Sequence, residues 1–170
     1  MRYLVNGFLL VVPLLAVSVT LAGRLPIDYQ PARWDAVPAW VTWPERVLRV
    51  PTLMLPLLFP VALDGPVQRA GWVLYLVGAT AYLAAWLVQI RTPRAAWSTT
   101  TAVFLAPAYT PALWLTGIGL IGYRPVVPHL RYLPWVFLVA AAAFLFFHNL
   151  HAILVHRQRA AAPGATGSWR

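Results

Sequence analysis

The sequence predicts an all-α fold, a polytopic integral membrane bundle of five transmembrane helices that form one domain. Four stretches of the chain contain no charged residue, namely 4–22, 71–90, 101–122 and 132–155. Each is long enough to cross a bilayer, because a hydrocarbon core of about 30 Å needs roughly 20 helical residues. Charged residues make up only 10% of the chain, whereas they make up about a quarter of a soluble domain. We expect one transmembrane domain, 1–159, followed by a disordered tail, 160–170.

The first apolar stretch follows a single arginine and is longer than the apolar region of a secretory signal, which has about 7–15 residues. Because further spans follow, we interpret 4–22 as an uncleaved first helix. The connection after it, 23–49, combines four prolines with three tryptophans and three of the four acidic residues. Proline opposes a continuous helix, and tryptophan favours the level of the lipid headgroups. We therefore expect a loop that lies along the membrane surface, with a short interfacial helix as an alternative for part of it.

The shorter apolar run 50–63 decides the number of spans. As a helix it rises only about 21 Å, so it reaches across the hydrocarbon only if the helix begins near Val47 and Arg49 extends back to the interface. Its three prolines lack backbone N–H groups, so the carbonyls that they leave unpaired need other donors. We predict that 47–63 is a short, proline-kinked second span. The alternative is four spans with a re-entrant segment at this position.

The positive charges predict the orientation in the membrane. In the five-span arrangement, nine of the 13 basic residues, all of them arginines, share one side of the bilayer. The positive-inside rule places that side, with the long loop and the C-terminus, in the cytoplasm. We therefore expect an integral protein of the bacterial cytoplasmic (inner) membrane, with the lipid bilayer as its surroundings. Nucleic acid is not expected as a partner, because the arginines are scattered among short loops instead of clustered on one face.

The last span carries a candidate polar site, His148, Asn149 and His151, within an apolar stretch. Ionisable side chains at membrane depth are costly and normally face the bundle or water. Three interpretations are open: hydrogen bonds between helices, contact with a lipid headgroup or polar ligand, and metal, haem or acid–base chemistry. We favour the first. No carboxylate lies in another clear span to complete a metal site, so no metal is predicted.

A second stripe of side chains runs along the span 71–90, where Tyr75, Tyr82, Trp86 and Gln89 fall within about 60° of arc. Aligned aromatic residues with polar tips can line a pocket for a lipid or another flat apolar ligand, which makes this stripe a candidate apolar ligand face. The interpretation that we favour is helix packing, with the hydroxyl groups bonded to neighbouring backbone.

Four arginines form a candidate headgroup-binding site. In the five-span arrangement they lie at the same membrane face: Arg46, Arg49, Arg91 and Arg94. Basic side chains near an anionic surface attract lipid phosphates. The positive-inside rule alone also explains their position.

Two motifs bear on other functions. The segment 117–122 matches the dinucleotide fingerprint G-x-G-x-x-G, but its glycines end an apolar helix instead of following a strand, so they predict close helix packing. Pro107 and Pro111 interrupt the span 101–122, as prolines do in the broken helices of transporters. Transport is nevertheless not the preferred function, because no acid inside the membrane is available to couple a proton or sodium.

The absence of cysteine excludes disulfides, thiolate nucleophiles and iron–sulfur ligation, and the sequence does not identify a cofactor. The function that we expect is non-enzymatic: a small multi-pass membrane protein that binds a lipid or another apolar ligand, or a partner membrane protein. The alternative is a lipid-modifying or redox enzyme whose polar centre is His148, Asn149 and His151. The sequence does not decide whether the protein is an enzyme.

The five-span arrangement makes a prediction about topology. Reporter fusions placed near Arg33 and at the C-terminus should both report the cytoplasmic side, because nine arginines lie on that side. A fusion near Arg33 that reports the outside, together with a C-terminal fusion that reports the inside, would instead support four spans with a re-entrant segment.

Overall fold

The computed structural model describes residues 6–25, 37–93, 95–122 and 133–161. Every element in these ranges is helical, apart from an isolated bridge between Asn6 and Pro60. The longer helices are α1 (Phe8–Ala22), α2 (Ala39–Met54), α3 (Pro66–Arg91), α6 (Pro111–Ile121) and α7 (Leu133–Ala161). Two single-turn helices, α4 (Thr101–Phe104) and α5 (Ala106–Tyr109), precede α6, and short 3₁₀ helices occupy Leu55–Leu58 and Ala96–Thr99. The prediction of an all-α chain is confirmed.

The two ends of the bundle are marked by contacts between distant parts of the chain. At one end, which we call end A, the Gly7 N–H donates to the Phe59 carbonyl at 2.8 Å. The Phe59 ring packs edge-on against Phe137 near the start of α7, with ring centroids 5.4 Å apart. At the opposite end, end B, Val41 of α2 and Val155 of α7 share one buried cluster. Helix α2 therefore runs antiparallel to α7.

The other contacts extend this alternation through the described residues. On α3, Tyr75 bonds to Leu10 of α1, and Tyr82 bonds to Ser18 of α1. Because both pairs follow the same order along the two helices, α1 and α3 are parallel. Gly71 of α3 lies against Ile121, and Gly78 lies against Trp114, so α3 and α6 are antiparallel. The described part of the chain therefore crosses the bundle five times in alternating directions. It runs from end A to end B in α1, α3 and α7, and from end B to end A in α2 with its 3₁₀ turn and in α4–α6.

Two of these helices, Pro66–Arg91 and the part Leu133–Gln158 of α7, are long and apolar enough to cross a membrane, and Phe8–Ala22 is apolar but shorter. The five spans themselves stay a prediction at this point.

Helix α2 differs from the sequence-based prediction. It begins at Ala39, so the part 39–49 is helical and is not a loop along a surface. Pro44 and Pro51 lie inside the helix. The reason is tertiary packing: Val41 and other side chains on one face of α2 are buried against α7, and this burial outweighs the unfavourable helix propensity of the prolines.

Glycines allow α3 and α6 to pack with their backbones in contact. A Cβ atom on Gly117 would lie 2.6 Å from the backbone nitrogen of Tyr75, and one on Gly78 would lie 2.5 Å from that of Trp114. Atoms cannot approach so closely, so any larger residue would push the helices apart. The prediction of close packing at the glycine-rich segment is confirmed for Gly117, and Gly122 follows the end of α6.

The proline-rich segment breaks the fourth traverse of the bundle into α4, α5 and α6. Pro107 has no N–H for the carbonyl of Val103, to which residue 107 would donate in a continuous helix. The side-chain amide of Gln89, on α3, donates to this carbonyl at 2.8 Å. At the next break, Asn149 of α7 donates to the carbonyl of Ala108 at 3.2 Å. Side chains of neighbouring helices thus replace donors that the broken helix lacks.

The bond from Gln89 makes a prediction about stability. Gln89→Leu should lower the free energy of unfolding in mild detergent by about 1 kcal/mol, the scale of a hydrogen bond between helices in membranes. In a Pro107→Ala background the same change should cost less, because the new N–H can donate to Val103. A double-mutant cycle measures the difference.

The matched control is Gln68→Leu, since Gln68 is also a buried glutamine of α3 but lies near end A. Gln68→Leu should lower the free energy of unfolding by the same amount in the wild-type and in the Pro107→Ala background. An equal cost of Gln89→Leu in both backgrounds would contradict the role given to Gln89.

Candidate functional site

A buried carboxylate lies where α2 packs on α7. Glu45 is 2% exposed, and its two carboxylate oxygens each meet a different histidine. The distance from Oε1 to Nδ1 of His148 is 2.9 Å, and that from Oε2 to Nδ1 of His151 is 2.5 Å. His148 and His151 share a face of α7 because they are three residues apart. We call these three residues the Glu45 centre.

Arg49 lies one turn after Glu45 on α2 and adds a third donor. Its Nη2 is 2.5 Å from Oε1 of Glu45, while 49% of the arginine side chain stays exposed. The Phe144 ring lies beneath both neighbours of the carboxylate: the Arg49 guanidinium is 5.9 Å from its centroid, and the His148 ring stacks on it at 5.3 Å. Phe144 therefore fixes the positions of Arg49 and His148.

The donors and acceptors of these groups indicate which of their atoms carry a hydrogen. An ionised carboxylate has only acceptors, so each imidazole donates its Nδ1–H to Glu45 when both histidines are neutral. The carboxylate and Arg49 then cancel in charge, which lowers the cost of burying them. The Glu45 centre thus brings one carboxylate and two imidazoles within hydrogen-bond distance of one another.

The third residue of the candidate polar site lies apart from the Glu45 centre. Asn149 donates to the carbonyl of Ala108 and, at 2.8 Å, to that of Leu145 in its own helix. The structure thus brings His148 and His151 together and directs Asn149 to the broken helix. All three make contacts with another helix, in agreement with the interpretation that we favoured.

Glu45 is the residue of the candidate site that the sequence analysis missed. The sequence analysis found no carboxylate in another clear span, and the segment that contains Glu45 was expected to be a surface loop; in the structure it is a helix. One signal was present in the sequence: Glu45 and Arg49 have the i, i+4 spacing of a helical ion pair. In the described part of the chain, no three His, Asp or Glu side chains are arranged to hold a metal ion; the Nδ1 atoms of both histidines are bonded to Glu45.

The candidate apolar ligand face is buried between helices. The Tyr75 hydroxyl donates to the Leu10 carbonyl at 2.8 Å. Ser18 donates to a carbonyl of its own helix, so Tyr82 donates to Ser18, at 2.7 Å. Trp86 packs edge-on against Tyr82, and Gln89 bonds to the broken helix as described above. These side chains attach α3 to α1 and to α4.

The four candidate arginines do not form one group. Arg46 and Arg49 are exposed neighbours on α2, and Arg91 is exposed at the end of α3. Helix α2 packs mainly on α7, whereas α3 packs mainly on α6, so Arg91 belongs to a different side of the bundle. Arg94 lies outside the described residues.

No protein-family model, curated protein or solved structure matches this chain. The chemistry of the site is therefore inferred from its own geometry.

The Glu45 centre makes a prediction about stability. His148→Ala should lower the free energy of unfolding in mild detergent by about 1 kcal/mol, since it removes one hydrogen bond between helices. Glu45→Gln should cost more, about 2 kcal/mol, because both histidines lose a charged acceptor.

Arg46→Gln is the control, since Arg46 is next to Glu45 in sequence but exposed, and it should leave stability unchanged. A Glu45→Gln variant as stable as Arg46→Gln would contradict the structural importance of the centre. Metal or haem that co-purifies with the wild-type chain and is lost from His148→Ala would contradict its role in helix packing.

Proposed function

We propose that this chain is an integral membrane protein that crosses the bilayer five times and transports protons, alone or with a substrate, through the Glu45 centre. The observation that carries the proposal is the buried Glu45 carboxylate, held between two histidines of another helix. The support for each part is given in turn.

Embedding in a membrane is supported by the outer surfaces of the helices. Large apolar side chains are exposed on every long traverse of the bundle, and Val19, for instance, is 76% exposed. In water such a surface is unfavourable, by about 25 cal/mol for each Å² of apolar area, whereas lipid chains solvate it. Examples on the four longest helices are Leu9, Val12, Val47, Val50, Val73, Leu76, Val136, Val139 and Phe146.

Exposed tryptophans mark two levels along the bundle. Trp40, Trp43 and Trp97 lie toward end B, and Trp135 lies at end A. Tryptophan concentrates at the two interfaces of a bilayer, because its ring is apolar and its N–H needs a partner. These two levels are the positions expected for the two headgroup regions.

The length of α2 supports a second span rather than a re-entrant segment. From Pro44, just below Trp43, to the end of the 3₁₀ turn Leu55–Leu58, it extends about 25 Å, somewhat less than the thickness of the hydrocarbon core, as expected for a short span. It carries ionisable residues, but Glu45 and Arg49 neutralise each other, and Arg46 is exposed and long enough to reach the interface.

The arginines support an orientation. Among the described residues, six lie toward end B and only Arg69 lies toward end A. Those at end B are Arg24, Arg46, Arg49, Arg91, Arg157 and Arg159. The positive-inside rule then places end B in the cytoplasm, which for a bacterial protein means the cytoplasmic (inner) membrane.

Proton transport is supported by the position of the Glu45 centre beside a broken helix. The sequence analysis argued against transport because an acid inside the membrane was missing, and Glu45 is such an acid. Asn149, adjacent to His148, bonds to Ala108 at the break between α5 and α6. Buried acid–histidine groups and interrupted helices are recurrent parts of proton-linked transporters.

Proteoliposomes that enclose a pH-sensitive dye test this function. After a pH step, with valinomycin and potassium to balance charge, liposomes containing the wild-type chain should take up protons faster than protein-free liposomes. Glu45→Gln should abolish the difference, because the amide does not exchange a proton at these pH values.

The matched control is Asp64→Asn, which removes the other acidic residue of the described chain, at end A, and should keep the wild-type rate. Equal rates for wild-type and protein-free liposomes would contradict proton transport by the chain alone. Equal rates for wild type and Glu45→Gln would contradict the assignment to this centre.

A further inference from the structure

The outer face of α2 carries a continuous apolar stripe. Its members recur at alternating spacings of three and four residues, and each is at least 42% exposed: Trp40, Trp43, Val47, Val50 and Met54. This spacing keeps them on one side of the helix. The stripe begins with two indole rings toward end B and continues toward end A with aliphatic side chains only.

Two positive side chains flank the stripe below its tryptophans. Arg46 is three residues from Trp43 and three from Arg49, so the three side chains are neighbours on the helix surface. Arg46 is exposed. Arg49 contacts Glu45 through Nη2, and 49% of its side chain is exposed; a guanidinium has five N–H donors, so this contact does not use all of them. This part of α2 thus carries two positive guanidinium groups and one negative carboxylate, and the carboxylate is buried.

We propose that the outer face of α2 binds an anionic phospholipid, with its phosphate at Arg46 and Arg49 and an acyl chain along Val47, Val50 and Met54. The proposal rests on the membrane embedding proposed above. Charge complementarity identifies the ligand, because the unbalanced positive charge of this face needs an anion. The indoles of Trp40 and Trp43 lie beside the arginines, at the level that headgroups occupy.

Other occupants fit this face less well. A second copy of the chain, packed on the same stripe about a twofold axis, would bring arginines near arginines. A free phosphate ion would use the guanidinium groups but leave the apolar stripe unexplained. A lipid uses both parts of the surface, since its charge and its chain are covalently joined.

Native mass spectrometry in mild detergent tests the proposal with equal amounts of phosphatidylglycerol and phosphatidylcholine. The wild-type chain should retain phosphatidylglycerol preferentially. Arg46→Gln should weaken that binding about fivefold, which corresponds to the roughly 1 kcal/mol of one basic group near an anionic lipid. The control Arg91→Gln removes an exposed arginine from the same end of the bundle but from α3, and should change it by less than about twofold.

The apolar part of the site has its own matched pair. Val50 and Val73 are both 63% exposed, on α2 and α3 respectively. Val50→Ser should weaken binding of phosphatidylglycerol, and Val73→Ser should not. Inorganic phosphate in excess should fail to displace the bound lipid.

Each contrary result overturns the proposal in a different way. Equal losses in Arg46→Gln and Arg91→Gln would mean a diffuse surface potential instead of a site, and displacement by inorganic phosphate would mean a simple anion site. A wild-type chain that retains neither lipid, or that retains both lipids equally, would refute the lipid site.

Discussion

The burial of one carboxylate constrains how the whole of end B is assembled. A carboxylate that loses its hydration is strongly unfavourable unless donors replace the water. For Glu45 the donors come from His148 and His151 of α7 and from Arg49 of its own helix. A slip of α2 along α7 by one helical turn moves the carboxylate by about 5.4 Å and breaks both histidine bonds. Glu45 therefore fixes the register of the two helices, which apolar packing alone leaves less well specified.

Buried backbone carbonyls also need hydrogen-bond donors. The chain contains 16 prolines, and each one inside a helix removes an N–H donor. In the broken helix the replacement donors are side chains: Gln89 for Val103 and Asn149 for Ala108. Polar residues within apolar helices are thus used in two ways here, some to satisfy backbone and a smaller group, the Glu45 centre, to form an ionisable site.

The sequence predicts the helices much better than it predicts their partners. The spans expected at 71–90 and 132–155 correspond to α3 and α7, because an uninterrupted apolar run identifies a helix locally. Tyr75, Tyr82, Trp86 and Gln89 are all buried on α3, since helical geometry aligns residues at these spacings on one face. Which helix each face contacts is a property of the tertiary fold. Glu45 and His148 are 103 residues apart in the chain, and no local pattern connects them.

The error at α2 has a specific physical cause. Prolines and tryptophans between 23 and 49 were given the weight that they have in an isolated segment, where they favour a loop. In the fold, Trp40 and Trp43 face outward, and the buried residues Val41, Glu45 and Thr52 face inward. A helix places the tryptophans on its exposed side and the buried residues on its inner side. A surface loop would leave Glu45 without its histidine donors. The packing that makes this segment helical thus comes from α7, and the sequence analysis considered the two segments separately.

The two proposals meet at Arg49. Its guanidinium bonds to Glu45 on the inner side of α2 while half of its side chain is exposed on the outer side. An anionic phosphate bound outside would lower the positive potential at the Glu45 centre, and a less positive potential favours the binding of a proton there. By thermodynamic linkage, a proton bound at the centre would strengthen the binding of the lipid to the same extent. Under both proposals, one arginine between the buried Glu45 and the outer face of α2 would couple the anionic charge of a membrane to the protonation of the Glu45 centre.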